Sequence, residues 1–216
     1  MDAKATVKIG PFSRSGKSRV AVAAADHDFQ AEATVTPVGI FLPATDELFL
    51  LLVTSKVTSD CLVDRLEQWW ERVRKRFAHI TTLVVNLDNG PENHSRRTQF
   101  MLRLLAFAQQ SGLTLRLAYY PPYHSKYNPV ERCWGILENH WNGSLLDSVE
   151  TVLKFAASMT WKGQHPVVEV VTTCYATGVK LTKQAMQRVE AHLERLADLD
   201  KWFVDIVGSS SAIWDA

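Results

Sequence analysis

The chain has 216 residues, of which 46% are hydrophobic and 22% are charged, with a formal net charge of +1. These are ordinary values for a globular protein, long enough for one core. The longest apolar run, FLLLV at 49–53, is much shorter than the roughly 18 to 20 residues that span a bilayer. Three widely spaced cysteines, without CxxC or zinc spacing, predict reduced thiols in a cytoplasmic protein. Composition therefore excludes a membrane protein and a disulfide scaffold, and the net charge neither indicates nor excludes a nucleic-acid partner.

Hydrophobic periodicity predicts strands and helices in a mixed order. In chain order we expect strands at 3–9, 19–25, 35–43 and 48–55, a helix from Thr58 or Ser59 to about 77, a strand at 79–88, a helix from Ser95 to about Gln110, a strand at 114–120 and a helix from Pro129. The first two strands are expected to form a hairpin. From about residue 145 onward the pattern is typical of helices.

This order predicts an α/β fold, with a central mixed five-stranded sheet flanked by helices. The strands that end at Asp2 and Asp88 are expected to lie side by side in that sheet. The predicted organisation is a core at 1–145, a helical C-terminal part at 146–207 packed on it, and a mobile tail at 208–216.

The segment GPFSRSGKS, residues 10–18, superficially resembles a phosphate-binding P-loop. Five residues rather than four separate its first glycine from Gly-Lys-Ser, and it leads into a predicted strand instead of a helix. The remaining interpretations are a hairpin loop and a basic loop that contacts a DNA backbone. We expect DNA contacts from these basic residues and from others in later loops: Lys8, Arg14, Lys17, Arg19, Arg96, Arg97 and Lys126.

Asp88 ends a strongly apolar predicted strand and is followed by Asn-Gly-Pro. In open α/β sheets, functional sites form where strands end. An Asx-turn that closes the strand is the structural alternative. The polar cluster of Asn89, Glu92, Asn93 and His94 favours a functional role.

Glu131 lies near the start of a predicted helix in the segment YYPPYHSKYNPVERCW, residues 119–134. Pro129 suits the first helical position, and Asn128 before it is a favourable N-cap. Glu131 then occupies the third helical position, where it can form a capping box. The alternative is that its carboxylate, with that of Asp88, binds Mg²⁺, a hard ion that takes oxygen ligands and relieves the repulsion between neighbouring carboxylates.

Several blocks of the sequence resemble insertion-sequence transposases. The strand with Asp-Asn and the later PPYHSKYNPVERCW block are similar to mariner-related DDE transposases, and KIGPFSRSGKSR, TPVGIFLP, LDNGPENHSRRTQF and ERCWGILENHWNG are similar to the Azo-type insertion-sequence transposases. The resemblance extends to about residue 206. It implies an RNase H-like fold, with hydrolysis and strand transfer at DNA phosphodiesters. It also implies two divalent ions, Mg²⁺ or Mn²⁺, held by Asp2, Asp88 and Glu131.

The resemblance further implies partners and an open question about activity. Element ends and target DNA are the expected partners, and a homodimer in the DNA complex is compatible with it. In such enzymes apolar residues and a helix-turn-helix region precede the first aspartate, whereas here only Met1 precedes Asp2. The expectation is a catalytic domain that begins within its first strand, with Asp2 poorly held and activity weak or lost. The alternatives are a non-catalytic DNA-binding or interaction remnant, and a general RNase H-like nuclease.

Overall fold

The computed structural model describes residues 1–14, 16–18, 23–25, 30–121 and 127–208. Its helices are α1 (Ser59–Val73), α2 (Thr98–Ser111), α3 (Pro129–Trp141), α4 (Val149–Ser158) and α5 (Lys183–Glu190). Its strands are β1 (Asp2–Ala3), β2 (Val7–Ile9), β3 (Ala33–Leu42), β4 (Glu47–Val53), β5 (Thr82–Leu87), β6 (Thr114–Tyr119), β7 (Val167–Val171), β8 (Leu193–Arg195) and β9 (Phe203–Val207).

The chain divides into two compact units, and each unit is built from two separate segments. The first unit comprises Met1–Lys56 and Asn128–Cys174, and the second comprises Val57–Tyr127 and Tyr175–Ala216. The mixed α/β class predicted from the sequence is confirmed for both. The boundary that we placed at residue 145 stays a prediction.

The sheet of the first unit is organised around β3. Strands β1 and β2 both pair antiparallel with β3, and the order β1-β3-β4-β7 is completed by antiparallel β4 and parallel β7. Between the pairs Ala3↔Val38 and Val7↔Val35, the β1–β2 segment advances by one residue more than β3 does. The extra residue is a bulge, and it lies beside Pro37, which has no N–H to donate to a ladder.

Helices α3 and α4 contribute the other half of the core of the first unit. Buried side chains from these helices pack with Leu50 and Leu52 of β4 and with β2 and β3: Val130, Cys133, Trp134, Leu137, Trp141, Val152 and Ala156. A Cβ added to Gly39 in β3 would lie 2.7 Å from the ring of Trp134 and 2.8 Å from Val130. Glycine at this position therefore permits the close approach of α3 to the strand.

The second unit has a four-stranded sheet in the order β5-β6-β9-β8, with β5 and β6 parallel and the other pairs antiparallel. Alternate side chains on one face of this sheet are buried: Val85, Leu87, Leu115, Leu117, Val204 and Ile206. Helix α2 contributes Phe100, Leu104 and Leu105 to the same core. Gly112, with a φ of 72°, ends α2 close to the predicted end at about Gln110.

Several expectations from the sequence are wrong in detail. The described strands form two sheets, with β1 paired to β3 and β5 paired to β6, instead of one sheet with β1 and β5 adjacent. The C-terminal part is not purely helical, because β7, β8 and β9 are strands. The sequences VVEVV and FVDIV are short and rich in β-branched residues, so pairing with β4 and β6 overrides a helical pattern.

The hairpin and the β5 strand also differ from expectation. Strand β2 pairs with β3, while most of its predicted partner at 19–25 lies outside the described residues, as does all but the first residue of the predicted tail at 208–216. The strongly apolar sequence of β5 is typical of a strand that is buried on both faces, yet Val84 is 53% exposed. The apolar run thus predicted a strand, but it did not show whether one face or both faces of the strand are buried.

Candidate functional site

Asp2 is a buried carboxylate at the start of the first unit's sheet. Its side chain is 7% exposed, and its Oδ2 accepts a hydrogen bond of 2.9 Å from Nε1 of Trp134. Strand β1 places Asp2 opposite Gly39, beneath helix α3. The sequence predicted a poorly held Asp2 because so little chain precedes it. In the structure, the indole N–H and the surrounding burial hold it.

Glu131 occupies the third position of α3, as predicted. Pro129 begins the helix and Asn128 is its N-cap, with the Glu131 amide donating to the Asn128 carbonyl at 3.1 Å. The side chain of Asn128 makes no capping bond, and its buried Nδ2 has no partner among the described residues. Within that same part of the chain, no hydrogen bond or ion pair engages the carboxylate of Glu131. The capping-box interpretation of Glu131 therefore has no geometric support here.

Asp88 follows β5 directly and begins a short loop. Its Oδ1 accepts a hydrogen bond of 2.6 Å from Nδ2 of Asn93. Asn93 is 7% exposed, and its backbone carbonyl accepts a hydrogen bond of 2.8 Å from the hydroxyl of Tyr119. Burial of the phenol raises the pKa of Tyr119, so its hydroxyl stays a donor. The loop is therefore fixed to the neighbouring strand β6.

Glu92 anchors the same loop to the N-terminus of α1. Its carboxylate accepts hydrogen bonds from the amide of Ser59 at 3.2 Å and from the Ser59 hydroxyl at 3.1 Å. Arg97 donates to this carboxylate at 3.0 Å. A negative group at the first turn of a helix is favourable because unpaired N–H groups meet there.

The three predicted carboxylates are distributed over both units. Asp2 and Glu131 belong to the first unit, and Asp88 belongs to the second. Across the described ranges, no group of three or more His, Cys, Asp or Glu side chains has the arrangement of a metal site. Glu131 and Asp88 nonetheless suit a hard divalent ion, because Glu131 has no competing partner in those ranges and Asp88 uses only one oxygen in a hydrogen bond there.

Two basic residues near the N-terminus, Arg14 and Lys8, make contacts within the folded chain that the sequence did not indicate. Arg14 donates from Nη2 to the Lys8 carbonyl at 3.0 Å, and its guanidinium lies 5.7 Å from the ring centre of Trp141. Burial lowers the pKa of Arg14, and the nearby Glu138 counteracts this. The Nζ of Lys8 lies over the ring of Phe12 at 5.6 Å, whereas Lys17 is exposed.

Two backbone contacts hold the basic loop, residues 10–18, close to the end of α3. Gly10 donates its amide to the Leu146 carbonyl at 2.8 Å. A Cβ on Gly143, whose φ is +76°, would lie 2.6 Å from the Lys17 carbonyl oxygen. The described part of this loop is thus held close to the helix.

The remaining residues predicted to contact DNA differ in how far their side chains are exposed. Arg97 is mostly buried against Glu92 and Ser59. Arg96 is an exposed residue that pairs with Asp200 at 3.1 Å. Arg19 and Lys126 lie outside the described residues. The assignment of these residues to DNA binding stays a prediction.

The family of the chain follows from comparison with known proteins. The sequence model of the Rhodopirellula transposase DDE domain matches residues 1–208. The chain belongs to this family of DDE transposase domains. No curated protein and no solved structure matches the chain. Members of the DDE transposase class are in general polynucleotidyl transferases that act on DNA.

Two residues of this DDE domain were undervalued by sequence reasoning. Trp134 had no functional role in the sequence-based predictions, and it holds Asp2. Asn93 was only one of several polar residues after β5, and it holds Asp88. The signal for Trp134 was its position three residues after Glu131, which puts both on one face of α3. No helix in the described part of this DDE domain is long and apolar enough to cross a membrane.

Proposed function

We propose that the chain is the catalytic domain of an insertion-sequence transposase that cleaves DNA and transfers strands with divalent metal ions. The observation that carries the proposal is the family match over residues 1–208. The finer resemblance to Azo-type and mariner-related enzymes, and an RNase H-like arrangement of the fold, are part of this proposal. The partners would be element ends and target DNA, with a homodimer in the DNA complex.

Asp2, Asp88 and Glu131 would hold two Mg²⁺ or Mn²⁺ ions. When bound, such ions supply charge that activates a water or a DNA 3′-hydroxyl and stabilises the leaving oxygen of an in-line displacement. The donor set is all oxygen, which suits these hard ions. No covalent intermediate with a serine or tyrosine is needed.

Neighbouring residues of the chain would orient these carboxylates. Trp134 holds one oxygen of Asp2, and Asn93 holds one oxygen of Asp88, so each carboxylate has a restricted orientation. Asn128 and Pro129 start α3 so that Glu131 is on its first turn. The carboxylate of Glu131 is then available for an ion because no described donor competes for it.

A nicking assay tests the proposal. The full chain is incubated with supercoiled plasmid that carries the DNA flanking its own gene, in Mn²⁺, in Mg²⁺ and in EDTA. We expect relaxed plasmid with either metal, none in EDTA, and none with Asp88→Asn. Binding of DNA without metal-dependent nicking would favour the alternative, a non-catalytic DNA-binding remnant. Equal nicking of unrelated plasmid would favour a general nuclease.

A further inference from the structure

Asn93 is the only described side chain that hydrogen-bonds to Asp88, and its geometry is unusual. Its Nδ2 donates to Oδ1 of Asp88 at 2.6 Å, while its own Oδ1 is buried without a partner among the described residues. We infer that Asn93 is a positioning residue that fixes the carboxylate of Asp88 so that Oδ2 faces the divalent ion. This inference rests on the proposed function.

The orientation of the Asn93 amide follows from the chemistry of its neighbour. A carboxylate oxygen only accepts hydrogen bonds, so the amide nitrogen and not the amide oxygen must face Asp88. A flipped amide would place two oxygens against each other at the same separation. The unpartnered Oδ1 is thus a consequence of holding Asp88, and such a buried acceptor normally destabilises the folded chain.

The position of Gly90 indicates the direction of the two oxygens in question, Oδ1 of Asn93 and Oδ2 of Asp88. A Cβ on Gly90 would lie 3.0 Å from Oδ1 of Asn93 and 3.1 Å from Oδ2 of Asp88. The two oxygens are therefore no farther apart than the sum of these distances, and both face one side of the loop. Neither accepts a hydrogen bond from a described residue. Two oxygens that face one side of the loop without described donors create a negative potential that favours a cation.

The backbone at Asn93 is held on both sides, so the amide cannot simply move away. The hydroxyl of Tyr119 donates to the Asn93 carbonyl, and the Asn93 amide lies 3.4 Å from the Gly90 carbonyl. The preceding residue, Glu92, is fixed to Ser59 at the start of α1. A rigid supporting residue is what a ligand-positioning role requires, since partners of metal ligands set the orientation of those ligands.

A purely structural role and a positioning role predict different Mn²⁺ affinities for Asn93→Leu. Leucine has a similar size, and it removes both the donor to Asp88 and the unpartnered oxygen. If Asn93 only stabilises the loop, the variant melts at a lower temperature and binds Mn²⁺ as before. If Asn93 positions Asp88, Mn²⁺ binding weakens, and the melting temperature without metal also falls because the carboxylate of Asp88 loses its donor.

The experiment measures Mn²⁺ binding to the full chain by titration calorimetry and thermal melting in EDTA. We expect Asn93→Leu to weaken Mn²⁺ binding by about 10- to 100-fold, as substitution of a ligand's partner commonly does. Tyr119→Phe is the matched control, because it removes one bond to the Asn93 backbone but keeps the amide. It should lower the melting temperature and change Mn²⁺ affinity less.

The variants also separate this inference from the proposed function. Wild-type Mn²⁺ affinity in Asp88→Asn would count against the metal site itself. Loss of binding in Asp88→Asn together with wild-type affinity in Asn93→Leu would overturn only the role of Asn93. Should Asn93→Leu fail to fold, Asn93→Ser, which is small and polar, replaces it, and the same weakening of at least about tenfold is required.

Discussion

The indole N–H of Trp134 donates a hydrogen bond of 2.9 Å to the carboxylate of Asp2, and this bond joins helix α3 to the first strand of the chain. The ring can lie over the sheet because residue 39, which pairs with Asp2 in β3, is glycine. Trp134 is one turn beyond Glu131 on the same face of the helix. The position of Asp2 and the placement of the helix that carries Glu131 are therefore mechanically linked.

Trp134→Phe should weaken this link while it retains most of the buried ring. The substitution removes the donor to a buried carboxylate, and a hydrogen bond to a charged group contributes about 1.5–3 kcal/mol. We expect a loss of that size in the free energy of unfolding, measured by urea denaturation. Trp141→Phe is a useful comparison, because its Nε1 donates to the more exposed Glu138. An equal or larger loss in that variant would contradict the special role of Trp134.

Gly39→Ala should disturb the same contact from the other side. The added methyl would lie 2.7 Å from the Trp134 ring, which real Cβ atoms do not tolerate, so α3 must shift. Overpacking of this kind typically costs about 1–3 kcal/mol. Near-ultraviolet circular dichroism should report a changed tryptophan environment together with a lower melting temperature. Gly135→Ala on the same helix has open space around its Cβ, so it should leave the tryptophan environment unchanged and keep or raise the melting temperature.

The elements that sequence reasoning predicted best are those with strong local signals. Thr58 caps α1, Gly112 ends α2, and Asn128 with Pro129 starts α3, because these residues act on their own neighbours. Strand β7 was missed because VVEVV has only five residues and is made a strand by its parallel pairing with the distant strand β4. The division of strands between two sheets likewise depends on pairing between distant segments, which local periodicity does not contain.

The candidate site shows the same contrast between local and distant information. Glu131 and Asp88 could be singled out because each directly follows a recognisable local pattern. The partners of the carboxylates could not, since Trp134 reaches Asp2 across 132 positions. Arg14 and Arg97 looked like free cations in the sequence, whereas each has partners that only the folded chain supplies.

Lys17→Ala and Arg97→Ala should affect DNA binding in different ways. Lys17 is exposed, so its loss should remove about one phosphate contact and reduce the slope of log affinity against log salt by about 0.9. Arg97 pairs with Glu92 at 3.0 Å, so its loss should mainly lower stability. Fluorescence anisotropy with a labelled duplex at several salt concentrations measures the slope. Lys154→Ala, which breaks only an exposed pair with Glu150, serves as the control.

The wild-type slope in Lys17→Ala would show that the basic loop does not contact phosphate. A reduced slope in the Lys154→Ala control would show that the effect is a general consequence of lost positive charge. Either result removes the DNA assignment from the loop at 10–18.

Glu138 should make the stability of the chain depend on pH in the acid range. Burial alone would raise its pKa, but hydrogen bonds from Lys4 and Trp141 outweigh burial and hold the pKa below its usual value of 4.5. A carboxyl with a lowered folded pKa stabilises the fold above the unfolded pKa, and this contribution is lost as pH falls through the folded pKa. Urea denaturation at several pH values should show a difference between wild type and Glu138→Gln that shrinks on acidification. A constant difference from pH 7 down to about 3 would contradict the prediction.

Glu131→Gln should separate catalysis from stability at the start of α3. The carboxylate has no partner in the described part of the chain and Gln also suits the third helical position, so we expect a nearly unchanged melting temperature. The swap removes the charge that divalent ions need, so nicking of plasmid with Mn²⁺ should disappear. Glu138→Gln, on the same helix, is the matched control: it should lower the melting temperature, because it loses the pair with Lys4, and it should keep nicking. Near wild-type nicking by Glu131→Gln would rule out Glu131 as a metal ligand and leave it as a residue of the first turn alone.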